Sequence, residues 1–345
     1  MDGDKRFEFG SKQSTLVYVG GLAAAFALSA IVAFFPEGDV ATWLSYLCTQ
    51  LGFLIAVCVL FSLRREAFEL NVPFRRKISF AALAIAVPVT IGIFMQNTLL
   101  AVCFNKLLET AGIYSATDLP DPSEPLNAVL GLLCVCVAPA LGEEFMFRGV
   151  LLGSYRRKGG VKAILLSALV FALGHFNPAQ LVHQFILGVV LAYLVEATDN
   201  IWYAVAVHFL NNVLALFLGL IPGYNALAAL DARSAAILCA MCVAGAAVLY
   251  PSLYGLVKIA GRKELNRKER WIFYIFRKKA VVKDNNIWYH NNTADATGVP
   301  PASGVSVGNG LKDNGVVRDP WCAALIVMLV AVTVLSTILE AVGAV

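Results

Sequence analysis

Leu141-Gly142-Glu143-Glu144-Phe145-Met146-Phe147-Arg148 lies inside an apolar run from about 126 to 155. The run has the roughly 20-residue minimum length needed to cross a bilayer as a helix, so two carboxylates and a guanidinium are carried into the hydrocarbon. Each such group costs about 2.5 to 3.5 kcal/mol at mid-membrane even on the lenient insertion scale, which makes it a marker of a site or of a structural ion pair. Helix geometry separates the two glutamates. Residues four apart share a face, whereas residues five apart point about 140° away from one another. Glu144 can therefore pair with Arg148, while Glu143 has no partner within its own helix.

The rest of the chain fits the same solvent. Hydrophobic residues make up 59% of its 345 and charged residues only 14%, a composition of multi-span membrane proteins. Apolar runs near 15–36, 42–63, 78–104, 126–155, 161–176, 179–195, 200–221, 235–260 and 321–343 predict an all-α, multi-pass bundle of eight to nine transmembrane helices. The 161–176 run is short and ends at Asn177-Pro178, as expected of a helix that stops inside the protein. No cleavable signal peptide is expected, since the first apolar run is long and polar residues precede it without a clear processing site. Cysteines number eight and are scattered, reading as small buried hydrophobes rather than disulfides or a zinc site.

Charge placement orients the spans, because cytoplasmic loops collect Lys and Arg. Arg64, Arg65, Arg75, Arg76 and Lys77 crowd one loop, Arg156, Arg157, Lys158 and Lys162 another, and 262–283 is densely basic. The 106–125 connection carries Glu109, Asp118, Asp121 and Glu124 and is expected outside, with 219–234. Alternating the spans from a cytoplasmic N-terminus satisfies all of these. The expected organisation is a cytoplasmic segment 1–14, a transmembrane bundle 15–260 with a chemical core near 126–218, a cytoplasmic loop 261–320 and a C-terminal membrane helix 321–345.

In the loop, basic residues interleave with Trp271-Ile-Phe-Tyr-Ile-Phe276, which suits either an interfacial segment on an anionic leaflet or a solvated linker. The stretch 284–319 reads as flexible. Gly304-Val-Ser306-Val-Gly308 matches a serine-hydrolase elbow without the strand, turn and helix an elbow needs. Asn291-Asn-Thr293 is a glycosylation sequon on the expected cytoplasmic side. Neither carries chemistry here.

Three of the four histidines fall in apolar runs: His175, His183 and His208. With a helix rise of 1.5 Å, Glu143 and His175 both lie about 20 Å from the basic turn at 156–162. His208 lies about 12 Å and Asn212 about 18 Å from the turn at Asp199-Asn200. The four share one slab of membrane, on three helices joined by short connections that make successive helices neighbours. His208 and Asn212 are four apart and share a face. His183 is a further pocket-lining candidate. Pro139, four residues before Glu143, can kink the helix and open a wet pocket, or simply serve packing.

A converging carboxylate and imidazole can activate water, directly as a base or together on a divalent metal. His208 and Asn212 can stabilise an oxyanion. Amide hydrolysis fits, whereas a helical Gly-x-Ser-x-Gly, a His-Glu-x-x-His and a Walker loop are all lacking. Two rivals use the same residues: a proton-coupled secondary transporter with Glu143 and the histidines as relay, and a non-catalytic membrane immunity or scaffold protein.

Glu143-Glu144-x-x-x-Arg148, Phe171-x-x-x-His175 and His208-x-x-x-Asn212, in that order, resemble the CPBP family of intramembrane proteases, which includes CAAX prenyl endopeptidases and bacteriocin-processing or self-immunity proteins. The resemblance covers roughly 126–218. It implies that Glu143 with His175 activates water, that His208 and Asn212 form the oxyanion hole, and that Glu144, Arg148 and Phe171 support the site. The family is often called a metalloprotease, and a glutamate mechanism without bound metal has also been argued for it. Glu143, His175 and His208 are the ligand set a zinc ion would use. The implied protein resides in the cell membrane and acts on a peptide or membrane-protein substrate, lipidated substrates included; no nucleic-acid partner is expected.

Overall fold

A computed structural model describes residues 9–74, 76–113, 119–156, 160–261 and 320–341. The expectations for 262–319, both loop motifs among them, and for most of 1–14 lie outside the described residues. Every regular element among those described is helical. In chain order they are α1 (Ser11–Val32), α2 (Asp39–Leu63), the short α3 (Arg65–Asn71), α4 (Phe80–Thr110) and α5 (Pro125–Tyr155). There follow α6 (Gly160–Leu173), α7 (Leu181–Thr198), α8 (Ile201–Phe217), α9 (Ala232–Ala260) and α10 (Pro320–Ala341).

Seven of these are long and apolar enough to span a bilayer: α1, α2, α4, α5, α7 with the turn before it, α8 with the turn after it, and α9. Two shorter apolar helices, α6 and the Pro320–Leu335 part of α10, bring the apolar helices to nine among the described residues. The chain is an all-α, multi-pass membrane protein. At 14 residues α6 is only about 21 Å long, so it ends within the hydrocarbon. Its last turn breaks at Gly174-His175, and Phe176 takes a left-handed φ of 50° before Asn177 caps the turn at Pro178. Non-glycine residues rarely adopt that conformation and hold it only where surrounding structure demands it.

Polar caps fix the helix starts. Ser79 accepts from Ala82 N at the start of α4, Asn200 from Trp202 N at α8, and Asp231 from Ser234 N at α9, each satisfying an amide that lacks an intrahelical partner. Between helices the closest approaches use residues without side chains, since apolar burial gives no net drive in lipid and packing must supply it. A Cβ on Gly52 of α2 would stand 2.5 Å from the Gly21 carbonyl of α1. A Cβ on Gly92 of α4 would stand 2.6 Å from Leu249 N of α9. These two clasps flank α5, α7 and α8, which carry the polar residues.

α5 is not uniformly wound. Leu132–Val137 and Glu144–Leu151 adopt π-helical turns, separated by the regular stretch Ala138–Glu143. Pro139 lies in the first turn of that stretch, and its missing N–H and its ring clash with the preceding turn coincide with the first widened segment. The proline thus follows directly on a widened winding. Such π turns recur at functional sites, and Glu143 and Glu144 straddle the junction of the second.

Candidate active site

Glu144 and Arg148 are both fully buried and form an ion pair, Arg148 Nη1 donating to Glu144 Oε1 at 2.8 Å. Arg148 Nη2 also reaches the Gly188 carbonyl of α7 at 3.4 Å, and its guanidinium lies 4.1 Å from the centroid of the Phe171 ring. This multiple engagement is what a buried charge needs to offset desolvation. The i,i+4 pairing read from the sequence is therefore present, even though the turn is wound π.

The same Glu144 oxygen accepts from His208 Nδ1 at 2.8 Å. The other ring nitrogen, Nε2, stands 3.7 Å from Glu143 Oε2. His208, itself only 1% exposed, thus links the two glutamates across α8. Glu143 has the partner that its own helix denies it: Gln50 of α2 donates from Nε2 to Glu143 Oε1 at 2.7 Å. Glu143 Oε2 has no hydrogen-bond partner. One oxygen is held and the other is free, facing the imidazole.

His175, on the turn that ends α6, bonds the Phe171 carbonyl through Nδ1 at 2.9 Å. A carbonyl only accepts, so Nδ1 carries the proton and a neutral ring keeps its lone pair on Nε2. The ring packs edge-on against Phe171 at 4.9 Å and lies within electrostatic reach of Glu143, His208 and Arg148. Phe171 therefore has two tasks, platform for Arg148 through its ring and anchor for His175 through its carbonyl.

Asn212 is placed differently from a shared-face reading with His208. Its Nδ2 donates to the Val135 carbonyl of α5 at 2.9 Å, about two turns before Glu143. Glu144 attracts the His208 ring, while the π turn of α5 exposes a carbonyl to Asn212, so the two side chains address different partners. His183 lies within electrostatic reach of His175, and its own carbonyl accepts from Asn97 of α4 at 2.8 Å.

The zinc-ligand reading is not supported. Among the described residues no three His, Cys, Asp or Glu side chains stand together so as to hold a metal ion. His175 Nδ1 is held by the Phe171 carbonyl and His208 Nδ1 by Glu144, so Nε2 is the nitrogen each ring has left to offer.

Two neighbours were not foreseen in the sequence. Gln50 is a lone amide in the middle of an apolar run, a weak signal that membrane depth makes meaningful. Tyr18 of α1 is fully buried against Phe53 and Phe147, and its hydroxyl has no hydrogen-bond partner. It lies within electrostatic reach of Glu143. Nothing in the local sequence of α1 marks it.

Residues 125–214 match the family model described as Rce1-like, type II CAAX prenyl endopeptidase Rce1-like. This core is similar to the CPBP membrane proteases. No curated protein and no solved structure gives a significant match. The CPBP segment comprises α5 through most of α8, and so holds Glu143, Glu144, Arg148, Phe171, His175, His208 and Asn212; Gln50 and Tyr18 come from helices before it. The matched family is one of CAAX-type intramembrane endopeptidases, and the spans around the matched segment put the chain in a membrane.

Proposed function

We propose that the chain hydrolyses a peptide bond of a membrane-associated substrate, with Glu143 and His175 activating water. The observation that supports this best is the divided carboxylate of Glu143: Oε1 is fixed by Gln50 while Oε2 is unpaired and faces His208. A water at Oε2 and His175 Nε2 gives up a proton to one of them as its oxygen attacks the carbonyl carbon. The developing oxyanion accepts from Asn212, whose Nδ2 has a second hydrogen beyond the one given to Val135. It also accepts from His208 Nε2 when that ring is protonated, with Nδ1 held by Glu144. Collapse breaks the C–N bond, and the leaving amine takes the proton from the protonated base. Glu144 and Arg148 position His208 and do not touch the substrate. No step is routed through a metal.

The N-terminus is read as cytoplasmic, which opens the site to substrates from that side. The substrate class we propose is a prenylated C-terminal peptide, the class in the family's description. The test uses purified full-length protein in lipid nanodiscs with a farnesylated CAAX peptide and its unfarnesylated counterpart. Glu143→Gln and His175→Ala should each lower cleavage by about 10²- to 10⁴-fold, the usual range for a positioned acid or base, without lowering the melting temperature. Undiminished cleavage by either variant sinks the mechanism. Equal turnover of both peptides sinks the lipidated-substrate reading alone.

A further inference from the structure

A second polar concavity lies away from the active site, where the starts of α4 and α8 meet the end of α9. It is a cavity of about 370 Å³ lined by Arg76, Lys77 and Lys258 together with Ser79, Asn200 and Tyr203. No acidic side chain lines it.

The cationic loop is held in place by buried polar groups. Asn200, 1% exposed, donates from Nδ2 to the carbonyls of Arg76 and Lys77 at 3.3 and 3.5 Å. Ser79 N donates to the buried Tyr203 hydroxyl at 2.8 Å, and Arg76 Nη1 donates to the Thr198 carbonyl at 2.8 Å. Arg76 is thus partly committed to the protein. Lys77 and Lys258 have no ion pair among the described residues, and both are exposed. The first turn of the 31-residue α4 opens here and adds the positive end of its dipole.

Apolar groups border the cations. Phe80 is 84% exposed, Ile259 50% and Ile78 40%, as suits side chains beside acyl tails. Positive charge converging on an open cavity, with lipid-facing apolar shoulders, is the chemistry that recognises a phosphate on a lipid. We propose that this cavity binds the phosphate headgroup of an anionic glycerophospholipid, with the acyl chains lying along Phe80 and Ile259. The site is independent of the proteolytic reading.

Full-length protein purified in neutral detergent provides the test, with phosphatidylglycerol and phosphatidylcholine as probes and retained lipid read by native mass spectrometry. Phosphatidylglycerol should be retained at one molecule per chain and raise the melting temperature; phosphatidylcholine should do neither. Lys77→Gln/Lys258→Gln should weaken phosphatidylglycerol binding at least about tenfold, two basic groups near a membrane surface each contributing several-fold. Its lipid-free melting temperature should not change, since neither lysine is bonded within the described structure. Lys258→Glu, a single charge reversal, should weaken binding as well. Equal retention of the two lipids, or unaltered binding by both variants, overturns the proposal. Displacement of phosphatidylglycerol by millimolar inorganic phosphate assigns the cavity to a soluble anion and overturns the lipid.

Discussion

At the scale of single residues, the site turns on how two adjacent glutamates are held apart. Glu144 is neutralised by Arg148 and shared with His208, whereas Glu143 keeps one oxygen free because Gln50 takes the other. Gln50→Leu removes the only hydrogen bond that carboxylate makes among the described residues without inserting a charge. We expect kcat to fall about 10- to 100-fold, or about 1.4 to 2.8 kcal/mol of barrier, with KM and melting temperature little changed. In a Glu143→Gln background the same substitution should add almost nothing, and an additive loss would refute a role through Glu143. Arg148 behaves oppositely. Its removal breaks a buried ion pair and leaves Glu144 with only His208 beside it, a loss of about 3 to 5 kcal/mol, so Arg148→Ala should reduce folded protein in the membrane. Glu144→Gln/Arg148→Met should fold better than Arg148→Ala while staying inactive, as measured by detergent-solubilised melting and cleavage. The separation of Glu143 from Glu144 was legible in the sequence because both pairing rules act within one helix. Gln50 was not legible: its partner is 93 residues away, and only the register of α2 on α5 brings them together.

At the scale of elements, that register depends on close helix approach. Gly52 lets α2 lie against the backbone of α1, and the same helix carries Gln50 to α5, where a Cβ on Gly142 would meet the Gln50 carbonyl and Oε1 at 3.1 Å. Gly52→Val puts its first side-chain atom 2.5 Å from the Gly21 carbonyl, so α1 and α2 must separate. Overpacking of this kind costs about 1 to 3 kcal/mol. We expect a lower melting temperature together with lost cleavage, as Gln50 and Tyr18 shift from the site. Gly20→Val on α1, beside Gly21, is a control with open space around its Cβ, and it should change neither; equal effects of the two would show that α1–α2 spacing is not what matters. The existence of the spans was readable because apolar length reports membrane crossing directly. The π turns of α5 were not, since they arise from Pro139 and from tertiary pairing rather than from any local period. For the same reason Asn212, four residues from His208, could not be assigned its Val135 partner: the accepting carbonyl belongs to a turn whose widening appears only in the folded helix.

At the scale of the whole molecule, the bundle has two chemically distinct ends. Arg156 at the end of α5 pairs with Glu196 near the end of α7, Arg76 bonds Thr198, and Lys258 borders the same cavity as Asn200. One end of the bundle thus gathers Arg76, Lys77, Arg156 and Lys258. The opposite end begins α5 next to Asp121 and Glu124, and ties α2 to α5 through Asp39, Asn127 and Trp43. We propose that retention of Lys and Arg on the cytoplasmic side sets the direction of the chain, with the N-terminus inside. The expectation is checked with single cysteines in an otherwise cysteine-free protein, using a membrane-impermeant maleimide on intact cells. Asp121→Cys should label from outside, and Lys77→Cys and Lys258→Cys only after permeabilisation. The reverse pattern would invert the topology, and would move both the lipid-phosphate cavity and the basic mouth of the bundle to the outer leaflet. Labelling of Lys77→Cys and Lys258→Cys from opposite sides would break the shared end itself, because both line one cavity. Either way the labelling reads topology without relying on cleavage.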